Sequence, residues 1–498
     1  MAIFIEENLE IPEKCSTFAA CFYSIVMKIS RLSTLLLLPL LASCAQRQEL
    51  TVPDQIVAGI ALTSFPERTI TVRPDTTATM LATLQHAIDS CSLMGGGRVE
   101  VTSGEYPLGG SLWLRSNVNL HLAEGAVLRF SGVADDFLPV VPTRFEGTEL
   151  YGRSPMIYAL HQQNVAITGR GVIDAQAGIE MAAWGRVAGS EADNPLHGAP
   201  GDLVEKPYVA RLRQMGEELT PVHERVFGQG TKLRPTCVEF YGCSRVLVEG
   251  VTILNSPFWT IHPLYSDNVI VRGVTIDSHF PNNDGCDPES SSNVLIEDCT
   301  FRCGDDAVAI KAGRDADGRR VGRPSQRIVI RRCEFRSECN GLCIGSEMSG
   351  GVQDVWMDSI TIGTVKNALY FKSNSDRGGY IRGIHVSHID IERAYGAILR
   401  FETNYFGYRG GHYPALYADF DIRHVHAAQA DAYAVYYDGN EAQPIRDVRV
   451  EDFHVATAGR AYYLYHTTGC TFSHCTVGND SIPYAPADSP ERQSCDVW

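Results

Sequence analysis

Three aspartates carry the first chemical signal. Asp284 stands in Pro281-Asn282-Asn283-Asp284-Gly285-Cys286-Asp287-Pro288. Asp305 and Asp306 stand in Cys303-Gly304-Asp305-Asp306-Ala307-Val308-Ala309-Ile310-Lys311. Asp284 and Asp305 are 21 residues apart. If successive turns of the chain stack at one strand spacing, ~4.8 Å, the three carboxyls converge on one face. Like charges at that range raise one another's proton affinity, so such a set can hold a carboxylic acid beside a carboxylate near neutral pH. Acid–base hydrolysis needs that division of labour. Turn capping and a calcium site built from carboxylate oxygens are rival uses of the same residues. The coil spacing and the nearby Lys311 favour the acid–base use.

Those positions need a scaffold, and a repeat supplies one. Val246-Leu247-Val248-Glu249-Gly250-Val251-Thr252-Ile253 returns as Val269-Ile270-Val271-Arg272-Gly273-Val274-Thr275-Ile276. It returns again at Val294-Leu295-Ile296-Glu297-Asp298-Cys299-Thr300-Phe301 and Ile328-Val329-Ile330-Arg331-Arg332-Cys333-Glu334-Phe335. Weaker copies start near Val355, Ile384, Phe420 and Val448, at intervals of 23 to 36 residues. The apolar period is two, so each copy reads as two short strands bent at a polar or small pair. One copy cannot bury its own apolar face, whereas stacked copies bury a continuous column. The fold class read from this is all-β: a right-handed single-stranded parallel β-helix of about ten coils. Residues 79–91 have helical spacing through Leu81, Leu84, Ala87, Ile88 and Cys91, and predict a helix capping the open end of the stack.

The chain has 498 residues, of which 44% are hydrophobic and 20% charged, which excludes intrinsic disorder. A formal net charge of -16 argues against nucleic-acid binding. Residues 27–31 are short and positive, residues 32–41 are mainly apolar, and Leu41-Ala42-Ser43-Cys44 closes the run. This predicts a lipoprotein export signal with Cys44 as the lipidated first residue, and the run is too short for a comfortable membrane span. Residues 1–26 carry Glu6, Glu7, Glu10 and Glu13, which suit no signal, so Met27 reads as the true start. The organisation is then 1–43 as over-extended start plus signal, 44–74 as a lead, and 75–498 as the β-helix. Residues 178–231 lack the repeat and predict a long insertion over one face. Cys299 and Cys333 occupy the same repeat slot and read as buried thiols rather than a bridge. No cysteine–histidine spacing reads as a zinc site, and no metal or cofactor is expected.

Asn282-Asn283-Asp284, Gly304-Asp305-Asp306, Gly341-Leu342-Cys343-Ile344-Gly345-Ser346 and Phe371-Lys372 follow the order and approximate spacing of glycoside hydrolase family 28, the polygalacturonase family. The sequence resembles that family over roughly residues 75–480. Gly95-Gly96-Gly97, Ser116-Asn117-Val118, Gly171-Val172-Ile173-Asp174 and Asn255-Ser256-Pro257-Phe258-Trp259 add to the likeness. The resemblance implies inverting hydrolysis, with Asp305 as the general acid and Asp284 and Asp306 as the pair that activates water. It implies that Lys372 grips the sugar carboxylate beside the cut.

Two positions depart from the family pattern. Asn340 stands where the family has histidine, and Tyr370 where it has arginine. Asparagine cannot change charge near neutral pH, and tyrosine offers a ring and one hydroxyl rather than a bidentate fork. Both changes bear on unbranched polygalacturonate as substrate and leave the three acids untouched. Asn282, Lys311, Asn340, Tyr370, Lys372 and Arg377 are the candidate substrate-binding residues, Arg377 as a replacement cation. Trp259, His262, Tyr405, Tyr408, His412 and Tyr413 are candidate sugar platforms, with coil packing as the rival use. The leading expectation is exo-acting removal of α-linked galacturonic acid, or a related sugar, from pectic fragments. It is made by a monomer anchored through lipid to the outer membrane, on its periplasmic side or at the cell surface. A non-catalytic carbohydrate-binding lipoprotein and a pectate lyase are the alternatives.

Overall fold

A computed structural model describes residues 51–75, 79–185, 205–405, 410, 412–481 and 493–496. The leader, Met27, Cys44, Tyr408 and residues 186–204 of the insertion lie outside the described residues. From Gln55 onward the chain forms one unit.

The repeat becomes a parallel β-helix. Val246, Val269, Val294, Ile328, Val355, Ile384, Phe420 and Val448 are successive rung partners in parallel register. All are buried, each worth about 1.5–3 kcal/mol of apolar burial. The bend after this first strand takes a left-handed residue: Gly250, Gly273, then Asp298, Arg332, Ser359, His388, His424, Asp452 and His474. Glycine and short polar residues tolerate that conformation, which is why the repeat carries a polar or small pair there.

A second strand follows the bend, and a third completes the coil. The third column runs Leu112, Ile157, Val238, Ile261, Cys286, Val308, Leu342, Leu369, Leu399, Val435, Tyr462, making eleven rungs. The first strand of the stack, Thr69–Val72, pairs with Gly97–Val101, so rungs begin ahead of the 75 boundary read from sequence. The helix Leu81–Leu93 buries Leu84, Ala87, Ile88 and Cys91 against the first coils, as its spacing predicts. Cys299 and Cys333 are free and buried.

The insertion holds a helix, Lys206–Glu217, and a short strand, Val226–Phe227. That strand pairs with one arm of an antiparallel hairpin, Val141–Phe145 and Thr148–Gly152. No repeat marks this side sheet, so periodicity alone does not reveal it. Among the described residues, no helix is long and apolar enough to cross a membrane.

Candidate active site

The acids sit where the second strand hands over to the third. Asn283 sets the handover turn: its Nδ2 donates to the carbonyls of Ser256 (2.7 Å) and Phe258 (3.3 Å), and its Oδ1 accepts from the Phe280 N–H (2.9 Å). The Gly285 N–H donates to the Asp306 carbonyl and the Thr260 N–H to the Asp284 carbonyl, each at 2.9 Å. Cys286 bridges to Val308, a coil of 22 residues. Asp306 is therefore the rung neighbour of Asp284, and Asp305 stands beside that column, one residue off the register the 21-residue spacing suggests. Asn340 and Asn367 continue the column upward. The Asn340 Nδ2 donates to the Asp306 Oδ1 at 2.5 Å, and the Asn367 Nδ2 donates to the Asn340 Oδ1 at 2.7 Å.

Burial and charge divide the acids. Asp284 is 3% and Asp306 1% exposed, and Asp305 is the most accessible of the three. Burial, then the nearby Asp305, pushes the Asp284 carboxyl well above the usual range against the pull of Lys311. Burial and the charge of Asp306 lift Asp305 to about 6. Asp306 goes the other way. Burial would raise it, but Lys372, Lys311 and the Asn340 amide together hold it below the usual carboxylate range. Adjacent carboxyls thus differ in proton affinity, Asp305 above the usual range and Asp306 below it.

Two lysines make the split. Lys372 Nζ donates to the Asp306 Oδ2 at 2.9 Å. Lys311 Nζ lies 3.7 Å from Asp284, 3.8 Å from Asp287 and 3.4 Å from Glu347, and 4.6 Å above the Trp259 ring. Both are buried, and in both cases the facing carboxylates outweigh burial and keep the ammonium charged.

The remaining candidate residues fall into place around these groups. Tyr370 is buried, donates its hydroxyl to Glu402, and lays its ring 5.3 Å from the Lys372 ammonium. Asn340 is 1% exposed and holds Asp306 rather than facing open solvent. Asn282, at φ +57°, accepts from Arg234, which pairs with Glu205 of the insertion at 2.8 Å. Arg377 does not stand free as a replacement cation. Its guanidinium is buried against the Ser346 carbonyl (2.9 Å), Asp315 and Glu347 (3.6 Å). His262 is no platform either: it is fully buried between Glu239 (3.1 Å) and Glu289 (3.0 Å). Trp259 is 2% exposed and packs on Phe258. Tyr405 stays near the site, 5.4 Å from the Lys372 ammonium.

Sequence reasoning missed several residues. Asp287 is fully buried, pushed well above the usual range by burial and Asp284, with Lys311 as its cationic neighbour. Its place three residues after Asp284 was the available signal. Glu347, held low once Lys311, Arg314 and Arg377 outweigh burial, is the hub of the cationic wall. Nothing in its local sequence marks it, because its partners come from other coils. The Cys339 thiol and the carboxyls of Asp305 and Asp306 offer atoms within 4.8 Å of one another. A cation there would compete with the Lys372 ammonium, already seated on Asp306.

Comparisons with known proteins agree with this geometry. The sequence profile of "Glycosyl hydrolases family 28" matches residues 223–476. A hyperthermoactive exopolygalacturonase from Thermotoga maritima is 36% identical, with a TM-score of 0.82 over 89% of this chain and 98% of that one. A probable polygalacturonase of Vitis vinifera is 31% identical over 64% of this chain. An exo-poly-alpha-D-galacturonosidase of Dickeya chrysanthemi is 25% identical over 70% of it. The chain spans 58% and 60% of the length of these last two relatives. With its family profile, a near full-length structural relative and an acid set in the expected order, the chain belongs to glycosyl hydrolases family 28.

Proposed function

We propose that the protein is an inverting glycoside hydrolase that removes α-linked galacturonic acid, or a related sugar, from the ends of pectic fragments. The observation that carries this is the opposed proton affinity of two adjacent carboxyls, Asp305 raised to about 6 and Asp306 lowered. Asp305, the more accessible, gives its proton to the glycosidic oxygen as the bond to the anomeric carbon breaks. Asp306 takes a proton from the attacking water, and the protonated Asp284 orients that water. Inversion needs a water between the acid and the base, on the face opposite the leaving oxygen. Tyr370 and Tyr405 offer ring faces beside the cationic Lys372, a setting that suits a uronic acid.

Exo action draws support from the exopolygalacturonase of T. maritima and from the insertion tied against the site. Glu205 pairs with Arg234, which donates to Asn282, and Arg213 reaches Glu146, which pairs with Arg314 at 3.3 Å. The leader ending at Cys44 supports lipid anchoring on the periplasmic side of an outer membrane. Labelled palmitate lost in Cys44→Ala tests that part.

Product analysis on defined galacturonate oligomers tests the chemistry. Release of single sugars with inverted anomeric configuration is the expected result. Early mixed-length products would overturn exo action. An unsaturated uronide would point to elimination, and binding without new reducing ends to a non-catalytic protein.

A further inference from the structure

The outer face of the last coils carries a histidine–aspartate cluster that the proposed reaction does not use. His426 and His454 are rung partners one coil apart. Their rings lie parallel, 5.6 Å between centroids and 6° between planes. Asp452 occupies the left-handed bend two residues before His454, at φ +53°. One ligand atom from each of the three lies within 4.8 Å of the other two.

His454 and Asp452 each have an outer hydrogen-bond partner that holds their aim, and His426 has a longer ion-pair contact. The His454 Nδ1 meets the Thr476 hydroxyl at 2.7 Å, which leaves its Nε2 facing the Asp452 Oδ1 at 2.8 Å. The His424 Nδ1 meets the other Asp452 oxygen at 2.6 Å. The His426 Nδ1 lies 3.6 Å from Asp390. Outer partners of this kind orient metal ligands and fix the tautomer.

From these contacts we propose that His426, His454 and Asp452 form a binding site for a borderline divalent transition-metal ion, with zinc the best fit. Two imidazoles and one carboxylate suit zinc, nickel or copper better than magnesium or calcium, which take oxygen ligands. Zinc bonds of ~2.0–2.2 Å in a tetrahedron separate ligand atoms by roughly 3.3–3.5 Å. The His454 Nε2–Asp452 Oδ1 contact at 2.8 Å opens by about half an ångström to seat the ion, and His426, with its ligand atom within 4.8 Å of both, closes by side-chain rotation. The backbone is already held by the rung register. His426 and His454 line an open groove of about 460 Å³, through which a hydrated ion enters and keeps a water as fourth ligand. Histidines 28 residues apart match no local metal motif, so only coil stacking brings them together. The rival reading is a plain hydrogen-bond ladder, since His388, His424 and Asp452 stack along the same bend.

Titrating tag-free, chelator-treated protein with zinc chloride, by calorimetry and by thermal unfolding, separates the two. One zinc per chain and a raised unfolding midpoint, reversed by chelator, are expected. His426→Ala and His454→Gln each lose at least about tenfold in affinity, as does the shape-preserving Asp452→Asn, and Thr476→Val loses less. Cys339→Ser keeps full affinity. Absence of zinc binding, or affinity in His426→Ala and His454→Gln unchanged from that of the unaltered protein, would overturn the site. So would affinity lost only in Cys339→Ser, which would put the ion on the acids instead.

Discussion

Two charged regions on one scaffold behave differently. At the acids, Asp306, Lys311 and Lys372 are 1%, 4% and 7% exposed, and each charge depends on its partners. On the second-strand face of the later coils, Arg393 and Asp431 pair at 2.6 Å with side chains 47% and 29% exposed. The lengths of the contacts are alike, but the surroundings are not. Water screens the outer pair, which contributes little to stability. Inside the cleft, removing one partner leaves an uncompensated buried charge, a loss of about 3–5 kcal/mol. Strong mutual dependence among buried charges is what gives the neighbouring carboxyls opposed proton affinities.

The largest expected effect comes from removing the proposed proton donor. Asp305→Asn lowers kcat by about 10²–10⁴ with the unfolding midpoint preserved. Steady-state rates on galacturonate oligomers measure it, and an unchanged kcat would remove Asp305 from its role. Lys372→Met destabilises the fold by about 3–5 kcal/mol in urea at pH 7, because Asp306 is left charged and buried. Asp306 is depressed in the folded state, so the stability it contributes is present above the unfolded carboxylate pKa. That stability is lost as pH falls through the lowered folded value. The gap between variant and wild type therefore narrows in acid, and a gap that stays constant with pH would break the comparison.

Smaller effects sharpen it. The pH profile of kcat/KM falls as pH rises past about 6, where Asp305 loses its proton. Asn340→Ala removes a hydrogen bond to a charged acceptor, worth about 1.5–3 kcal/mol, and moves the acidic limb up by about one to two pH units. The Asp305 limb stays in place. Arg393→Ala shifts the unfolding midpoint little, and the difference disappears at roughly 1 M salt. A larger or salt-resistant loss there would mean that the outer pairs resemble the inner ones.

Legibility in the sequence followed range along the chain. Val246 to Val448 repeat with period two inside each copy, and that pattern is enough to specify stacked strands. The capping helix showed itself because Leu84, Ala87, Ile88 and Cys91 share one helical face. The three acids were readable since one coil separates Asp284 from the pair. Arg377 and His262 misled, because an isolated cation or ring has the same letters whether it faces a sugar or a buried carboxylate.

Local order alone determined the coil, its bends and the candidate acids, since alternation and left-handed bend residues act within one copy. Tertiary structure decided which carboxyl keeps its proton. Asn340 and Lys372 reach Asp306 from the next two coils and Lys311 from the end of its own third strand, and desolvation exists only once those coils close around it. Electrostatic energy depends on distance and surroundings in space, and neither is written in the order of residues.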